Sequence, residues 1–543
     1  MAPVALEPEI TLIPTIVVIW HIFTASFLTS TVGLGLYRSY KGLGPSQDVR
    51  ARITRRKKLV PVFAVLAFIS LILAGFSSAT YAALSYRVWA DERGIQIPTS
   101  IFPSSSNSTE VKNATQVFVT RWLTDVPIYR DAWEIVAEKS RRFWWGQQVD
   151  LSLVAWSLLL AIEGRRRRIP FLWAYLSLAH LVNLSFAQNL FYVALLLTPS
   201  PLPPAGGPSL SRLGRVRNAL FPPKPPNWTP YPGLFLVVLL SAYGTLFVVP
   251  YAAGTPSFNT VLGVSKALTF APLALQDIAP VSWGKVPEHP HKAYSAFTDL
   301  FRLISLMSMA LHGKATIIGL LSNVPKPHYH RHSKLLPWDV ETRSKWERTT
   351  TAFGKVLGST SDHPVVAAVG RDVLLCGLSL GLWAAVRAIE TSDILISAVP
   401  LYKGQSDSSG SDTASSDPEA TGSHSSSTPE SPIKAEGEST GTLRRSSRRH
   451  RPTLAAKEAG IDLALQTPRK RGRSRKIKQD PEEAEDDQTY QPTPAVKRSV
   501  AEGDVLPDEE LDWESAALAW GLTALGGLGC GSAGVFGGEC ISR

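Results

Sequence analysis

The residues best placed to do chemistry in this sequence are ionisable and amide side chains set inside long apolar runs. Such groups are costly to hold in hydrocarbon, so each is a functional candidate by default. The run 144–163 carries Gln147, Asp150 and Ser157. On a helix turning about 100° per residue these fall within about 80° of one another. The run 169–197 carries Ser177, His180, Gln188 and Tyr192 on another face, with Asn183 beside it. The two runs are joined by Arg165-Arg166-Arg167-Arg168, so they read as antiparallel neighbours whose polar faces, with Trp156, could line one cavity. No basic residue accompanies Asp150 within its own run. An unaccompanied carboxyl in apolar surroundings keeps its proton at neutral pH, which is what a general acid needs. Farther along, Asp299 and Arg302 stand three apart on one helical face and read as a structural ion pair in preference to a catalytic one.

Other chemistries find little footing. His328, His330 and His332, with His289 and His291 nearby, alternate through a Pro-rich stretch, which is not a ligand pattern of fixed geometry, so no metal site is expected. There is no Walker loop, no GxGxxG after a strand, no zincin motif and no acidic run of the kind that holds magnesium for diphosphate ionisation. The three cysteines, Cys376, Cys530 and Cys540, lie in or beside apolar segments and form no disulfide framework.

The elements that must position these groups are apolar runs of roughly 20 residues or more, the length that crosses about 30 Å of hydrocarbon. The fold class is therefore an all-α, polytopic membrane bundle of about eight spans: 10–36, 59–85, 144–163, 169–197, 232–253, 294–321, 364–389 and 513–537. A further stretch, 260–283, is interrupted by Lys266, Pro272, Asp277 and Pro280 and reads as re-entrant or interfacial in preference to a ninth span. The basic loops 38–58 and 165–168 are assigned to the cytosol. Loops 86–143 and 199–231 are then lumenal, and they contain the glycosylation sequons at Asn107, Asn113 and Asn227. One conflict stands, because 199–231 also holds Arg212, Arg215, Arg217 and Lys224. The sequons point to the endoplasmic reticulum or a membrane downstream of it.

The chain of 543 residues is 44% hydrophobic with a net charge of +11, but these averages hide two parts. Residues 1–398 form the bundle, while 401–510, rich in Ser, Pro, Glu, Lys and Arg, cannot bury enough apolar surface to fold and are expected to be disordered. Its basic run from Pro468 to Lys476 reads as a solvated cytosolic tether skimming anionic lipid, in preference to a nucleic-acid contact. The last run, 513–537, holds Gly526, Gly527, Gly529, Gly531, Gly534 and Gly537, and is expected to pack tightly against the rest of the bundle.

Four stretches carry a family resemblance: Arg142-Phe143-Trp144-Trp145-Gly146-Gln147-Gln148, Ala161-Ile162-Glu163-Gly164 with the arginine run, Ala179-His180-Leu181-Val182-Asn183 continuing to Phe191, and Asp512-Trp513-Glu514-Ser515 continuing to Gly521. Together they resemble a family of fungal multi-span proteins that includes membrane-bound terpene cyclases of the ascochlorin and ascofuranone type. The resemblance covers most of 1–398 and the last run, and no defined catalytic motif. It implies an isomerase-like cyclisation of a prenylated aromatic, begun by protonation of an epoxide or alkene, with no metal, nucleotide or other cofactor. Its partners would be that lipid-soluble substrate, the membrane and other enzymes of the pathway. Under this implication Asp150 is the first candidate acid, with Gln147 or His180 orienting it, and Asp299 the second. Glu163, beside four arginines, stays ionised and is a poor acid. A transporter using the same buried charges and a scaffold working through 401–510 remain alternatives.

Overall fold

The structure, a computed structural model, describes residues 10–41, 49–95, 118–198, 224–225, 228–286, 290–330, 340–402 and 511–541. The described residues belong to one compact unit, made from 1–406 together with 493–543. The expected disorder of 401–510 lies almost wholly outside the described residues, as do all three sequons.

The helices, in chain order, are α1 (Ile13–Lys41), α2 (Val49–Glu92), α3 (Val119–Asp125), α4 (Ile128–Glu138), α5 (Ser140–Leu159, ending in a π-helical turn at Leu160–Gly164), α6 (Leu172–Leu181), α7 (Leu184–Leu197), α8 (Pro232–Ala252), α9 (Phe258–Ile278), α10 (Pro290–Asn323), α11 (Lys345–Leu357), α12 (Pro364–Arg387), α13 (Thr391–Ala398) and α14 (Trp513–Ile541). Two short two-stranded ribbons complete the described secondary structure, β1 (Thr229–Pro230) with β2 (Gly284–Lys285), and β3 (His328–His330) with β4 (Val340–Thr342). The protein is thus a helical bundle. By length and composition seven of these helices could cross a membrane: α1, α2, α8, α9, α10, α12 and α14.

Two expectations need correction, at 260–283 and 169–197, and a third, at 144–163, is refined. The stretch around 260–283 is a continuous 21-residue helix, α9, that runs through Pro272. The run 144–163 is α5, which is not among the seven, because Gln147, Gln148 and Asp150 dilute its apolar character. It tolerates them by being surrounded by protein, with thirteen of its residues buried from Trp145 to Leu159. The run 169–197 is not one helix. It breaks at Val182–Asn183 into α6 and α7, which fold back on each other. In a straight helix Arg167 and Thr198 would stand about 46 Å apart. Instead Arg167 Nη1 donates to Thr198 O at 3.3 Å and to Leu195 O at 3.4 Å. The Tyr175 and Phe191 rings meet edge to face at 5.7 Å, as the two arms of a hairpin must.

The same happens in α14. At Gly527 the backbone leaves the helix with φ 80° and ψ 167°, a conformation open to glycine and strained for other residues. A straight helix would separate Ser515 from Glu539 by about 36 Å. Both reach the same end of α12: Ser515 Oγ donates to Ile389 O at 2.6 Å, and Arg387 Nη2 donates to Glu539 Oε1 at 2.7 Å. The arms 513–526 and 528–541 lie so close that a Cβ on Gly531 would collide with Thr523. The glycine-rich run therefore packs tightly, as its composition suggested, partly against its own first half.

A broken helix leaves backbone groups without partners, and inside a bundle each must be supplied by a neighbour. Asn183 Oδ1 caps α7 by accepting from Phe186 N at 3.0 Å. Asp372 of α12 accepts from Leu184 N at 3.2 Å and Ser185 N at 2.8 Å. His21 Nε2 of α1 stands 2.9 Å from Leu181 O, and Gln148 Oε1 of α5 accepts from Leu528 N at 3.3 Å. Asp372 is thus a buried helix cap supplied by a neighbouring helix.

Candidate functional site

Asp150 lies on the side of α5 that faces α9, and it is not alone. Lys266 Nζ donates to Asp150 Oδ1, the side chains being 20% and 13% exposed. The expectation of an unaccompanied carboxyl fails because the partner comes from the next helix over. Lys266 also sits 4.1 Å from the Trp133 ring centroid, a cation–π contact supplied by α4.

One turn farther along α9, Thr269 Oγ1 stands 2.8 Å from His180 Nε2 of α6. Thr269 donates its own hydrogen to Lys266 O at 2.7 Å, so in this pair it accepts. That places the imidazole proton on Nε2 and leaves Nδ1 as a base. His180 stacks on Phe270 at 5.2 Å, and Phe270 stacks on Trp173 at 5.9 Å. Trp173 is exposed, so the aromatic wall of the cluster runs from the buried His180 out to the protein surface. Chemically it holds a carboxylate–ammonium pair with a transferable proton, a neutral base one turn away, and rings that can face a cation.

The other expected site residues go elsewhere. Gln147, one turn before Asp150, directs Nε2 towards Leu311 O at 3.5 Å and lines a cleft of about 200 Å³ with Phe143, Phe247, Tyr251 and Lys314. Ser157 Oγ is satisfied by Val154 O of its own helix at 2.9 Å. Gln188 Nε2 donates to Tyr192 Oη at 2.5 Å, and the Tyr192 ring lies flat on Trp383 at 4.4 Å. Trp156 is fully buried with its edge on Phe191 at 6.2 Å. Ser157, Gln188, Tyr192 and Trp156 are thus packed core where a substrate cavity was expected, and Asn183 is a helix cap. Asp299 is 73% exposed at the periphery and pairs with Arg302 at 3.1 Å, which fits the structural reading and not a buried acid. A second cleft, of about 270 Å³, lies among Phe76, Thr80, Thr360, His363 and Arg371. There burial, and after it the nearby Arg142, holds the His363 imidazole below the ordinary histidine range. Among the described residues no group of His, Cys, Asp or Glu could hold a metal ion. Of the histidines suspected of metal binding only His328 has a described side chain, and it is exposed.

Sequence reasoning missed one charged centre. Glu163, fully buried in the π-turn of α5, pairs with Arg166 at 2.6 Å and with Arg167. Glu539, also fully buried, takes a two-pronged contact from Arg387, Nη2 at 2.7 Å and Nε at 3.1 Å, with Arg167 Nη2 at 3.7 Å. The signal was present as an acid just past the apolar run 513–537 and a base in the closing turn of 364–389, but nothing in one dimension says that those ends meet. Glu163 pairs with two of its four arginine neighbours, and its work is to join α5 to the base of both hairpins.

Comparison with family models, with curated proteins and with solved structures returns no match for this chain.

Proposed function

We propose that this chain is a membrane-embedded enzyme that cyclises the prenyl chain of a lipid-soluble aromatic at the Asp150–Lys266–His180 cluster. The observation that supports it best is the combination of proton-bearing groups with aromatic walls on the flank of an apolar bundle. A polyprenyl substrate dissolves in the bilayer and would reach such a site sideways. The Asp150–Lys266 pair would deliver its proton to the oxygen of a terminal epoxide, and the C–O bond would break. The π electrons of the next alkene close the ring and pass the positive charge along the chain, across the faces of Trp133, Phe270 and Trp173. His180 Nδ1 takes the proton released as the last alkene forms. Substrate and product are isomers, so the step balances without an oxidant or reductant. Residence in the endoplasmic reticulum is our reading of the basic loops and sequons.

One observation favours a second reading, the transport of a solute: two helices are broken inside the bundle, as in many transporters. Microsomes carrying the chain, incubated with farnesylated aromatics with and without a terminal epoxide, decide between them. The cyclase reading expects a product of unchanged mass and new retention time, lost in Asp150→Asn and in Lys266→Met. Full activity in a well-expressed Asp150→Asn variant would sink the assigned role. No product from the intact chain would leave transport as the better reading.

A further inference from the structure

The starts and finishes of the long described helices fall into two groups by their contacts, one at each end of the bundle. Near one end Gly35 of α1 approaches Phe171, and Phe63 of α2 meets Trp383 at 5.8 Å. Arg165 pairs with Asp277 at the close of α9 at 2.6 Å, and Lys224, just before α8, donates to Asp277 O at 3.2 Å. Arg302 of α10 donates to Ile396 O at 2.6 Å, and Arg387 closes α12 on Glu539. At the other end Thr124 of α3 bonds Thr11 at 2.9 Å, and Glu134 of α4 accepts from Gly254 N at 2.9 Å between α8 and α9. There too Trp144 donates to Thr316 at 2.9 Å, and Ser359 donates to Arg141 O at 2.9 Å. Helices α1, α2, α5, α8, α9, α10 and α12 run from one end to the other. Both the α6–α7 pair and α14 begin and finish at the first end.

Resting on the membrane reading above, we infer that the chain crosses the bilayer seven times and that α6–α7 and α14 are re-entrant hairpins, both entering from the cytosolic face. The arms fit this: α7 and each arm of α14 have 14 residues, about 21 Å of helix against about 30 Å of hydrocarbon. Irregular backbone at membrane depth is tolerated only where protein covers and satisfies it. Asp372, Asn183, His21 and Gln148 do that at the two tips. The first end is assigned to the cytosol by the positive-inside rule, since it gathers Arg38, Lys41 and the four-arginine turn Arg165–Arg168. The topology also removes the charge conflict of 199–231, since Lys224 and Trp228 lie at the cytosolic end, and with it the lumenal placement of the Asn227 sequon, leaving Asn107 and Asn113 as the lumenal ones. It keeps Leu401 and Asp512, on either side of the long loop, at that same end.

The test is cysteine labelling in sealed microsomes with a membrane-impermeant maleimide, one introduced cysteine at a time; the native Cys376, Cys530 and Cys540 are buried. Leu401→Cys is the cytosolic control and Trp346→Cys on α11 the lumenal one, both sites being well exposed. Thr198→Cys, Trp513→Cys and Ile541→Cys are expected to label equally before and after detergent permeabilisation, and Trp346→Cys only after it. Ile541→Cys labelled only after permeabilisation would make α14 a span, and the same result at Thr198→Cys would restore 169–197 as one. If Trp346→Cys and Leu401→Cys label alike in sealed vesicles, or carbonate extracts the chain, the membrane reading itself falls.

Discussion

Replacing Asp372 by alanine strips the start of α7 of its acceptor. Leu184 N and Ser185 N, at 3.2 and 2.8 Å from the carboxylate, sit in the packed interior, and no solvent reaches them when the side chain is gone. Each buried donor left without a partner costs about 1–3 kcal/mol, so the loss is about 2–6 kcal/mol. At about 2 °C per kcal/mol for a bundle of this size, the unfolding midpoint falls by about 4–12 °C. Asp372→Asn keeps one of the two acceptor oxygens, so about half the loss is expected. The assay is the midpoint of loss of monodisperse protein after heating in mild detergent. Ser379→Ala, which removes only a bond to Leu375 O within α12, is the control and should cost little. An Asp372→Ala midpoint equal to that of Ser379→Ala would refute the claim that this carboxylate holds the hairpin tip.

Two further outcomes follow from the base and from the packing of α14. Arg387 and Glu539 are 2% and 0% exposed, so Arg387→Met or Glu539→Gln alone is expected to cost about 3–5 kcal/mol, while Arg387→Met with Glu539→Leu recovers most of the stability; a thermal melt of the three variants shows whether the losses add, which they should not. Gly531→Ala drives a methyl into Thr523 of the opposite arm and is expected to cost about 1–3 kcal/mol, relieved in part by adding Thr523→Ala. A straight α14 would give no such rescue.

The helical bundle was legible because apolar run length depends on local composition alone. The two hairpins were not, because a run of 29 apolar residues has the same composition whether it crosses once or turns back. The turn at Val182-Asn183 carried a signal, since asparagine is a strong helix cap, and the one at Gly526-Gly527 carried another in its paired glycines. Both read equally well as small or polar residues in a continuous span. At the candidate site, Asp150 and His180 were found by asking which polar groups sit in apolar surroundings. Their partners Lys266 and Thr269 were not, because they lie in a segment whose interruptions looked like reasons against a membrane helix. Two blemishes in separate apolar runs are complementary once the helices pack, and only the third dimension shows that.

Because α14 starts and ends at one end of the bundle, it can join last. Synthesis must pass through the more than one hundred residues between Tyr402 and Leu511 before α14 emerges, which at about 5–20 residues per second takes roughly 5–20 s. During that interval Gln148, Ser152 and Arg387 lack the groups they bond in the finished protein, and the groove between α5, α10 and α12 stands open. The newborn chain therefore passes through a long-lived incomplete state with buried polar groups unmatched, which is the kind of state a membrane chaperone would shield. On the proposed topology both arms of the hairpin enter from one face, so its arrival moves no polar segment across the bilayer. Glu539 then meets Arg387 at the end of the bundle where both lie.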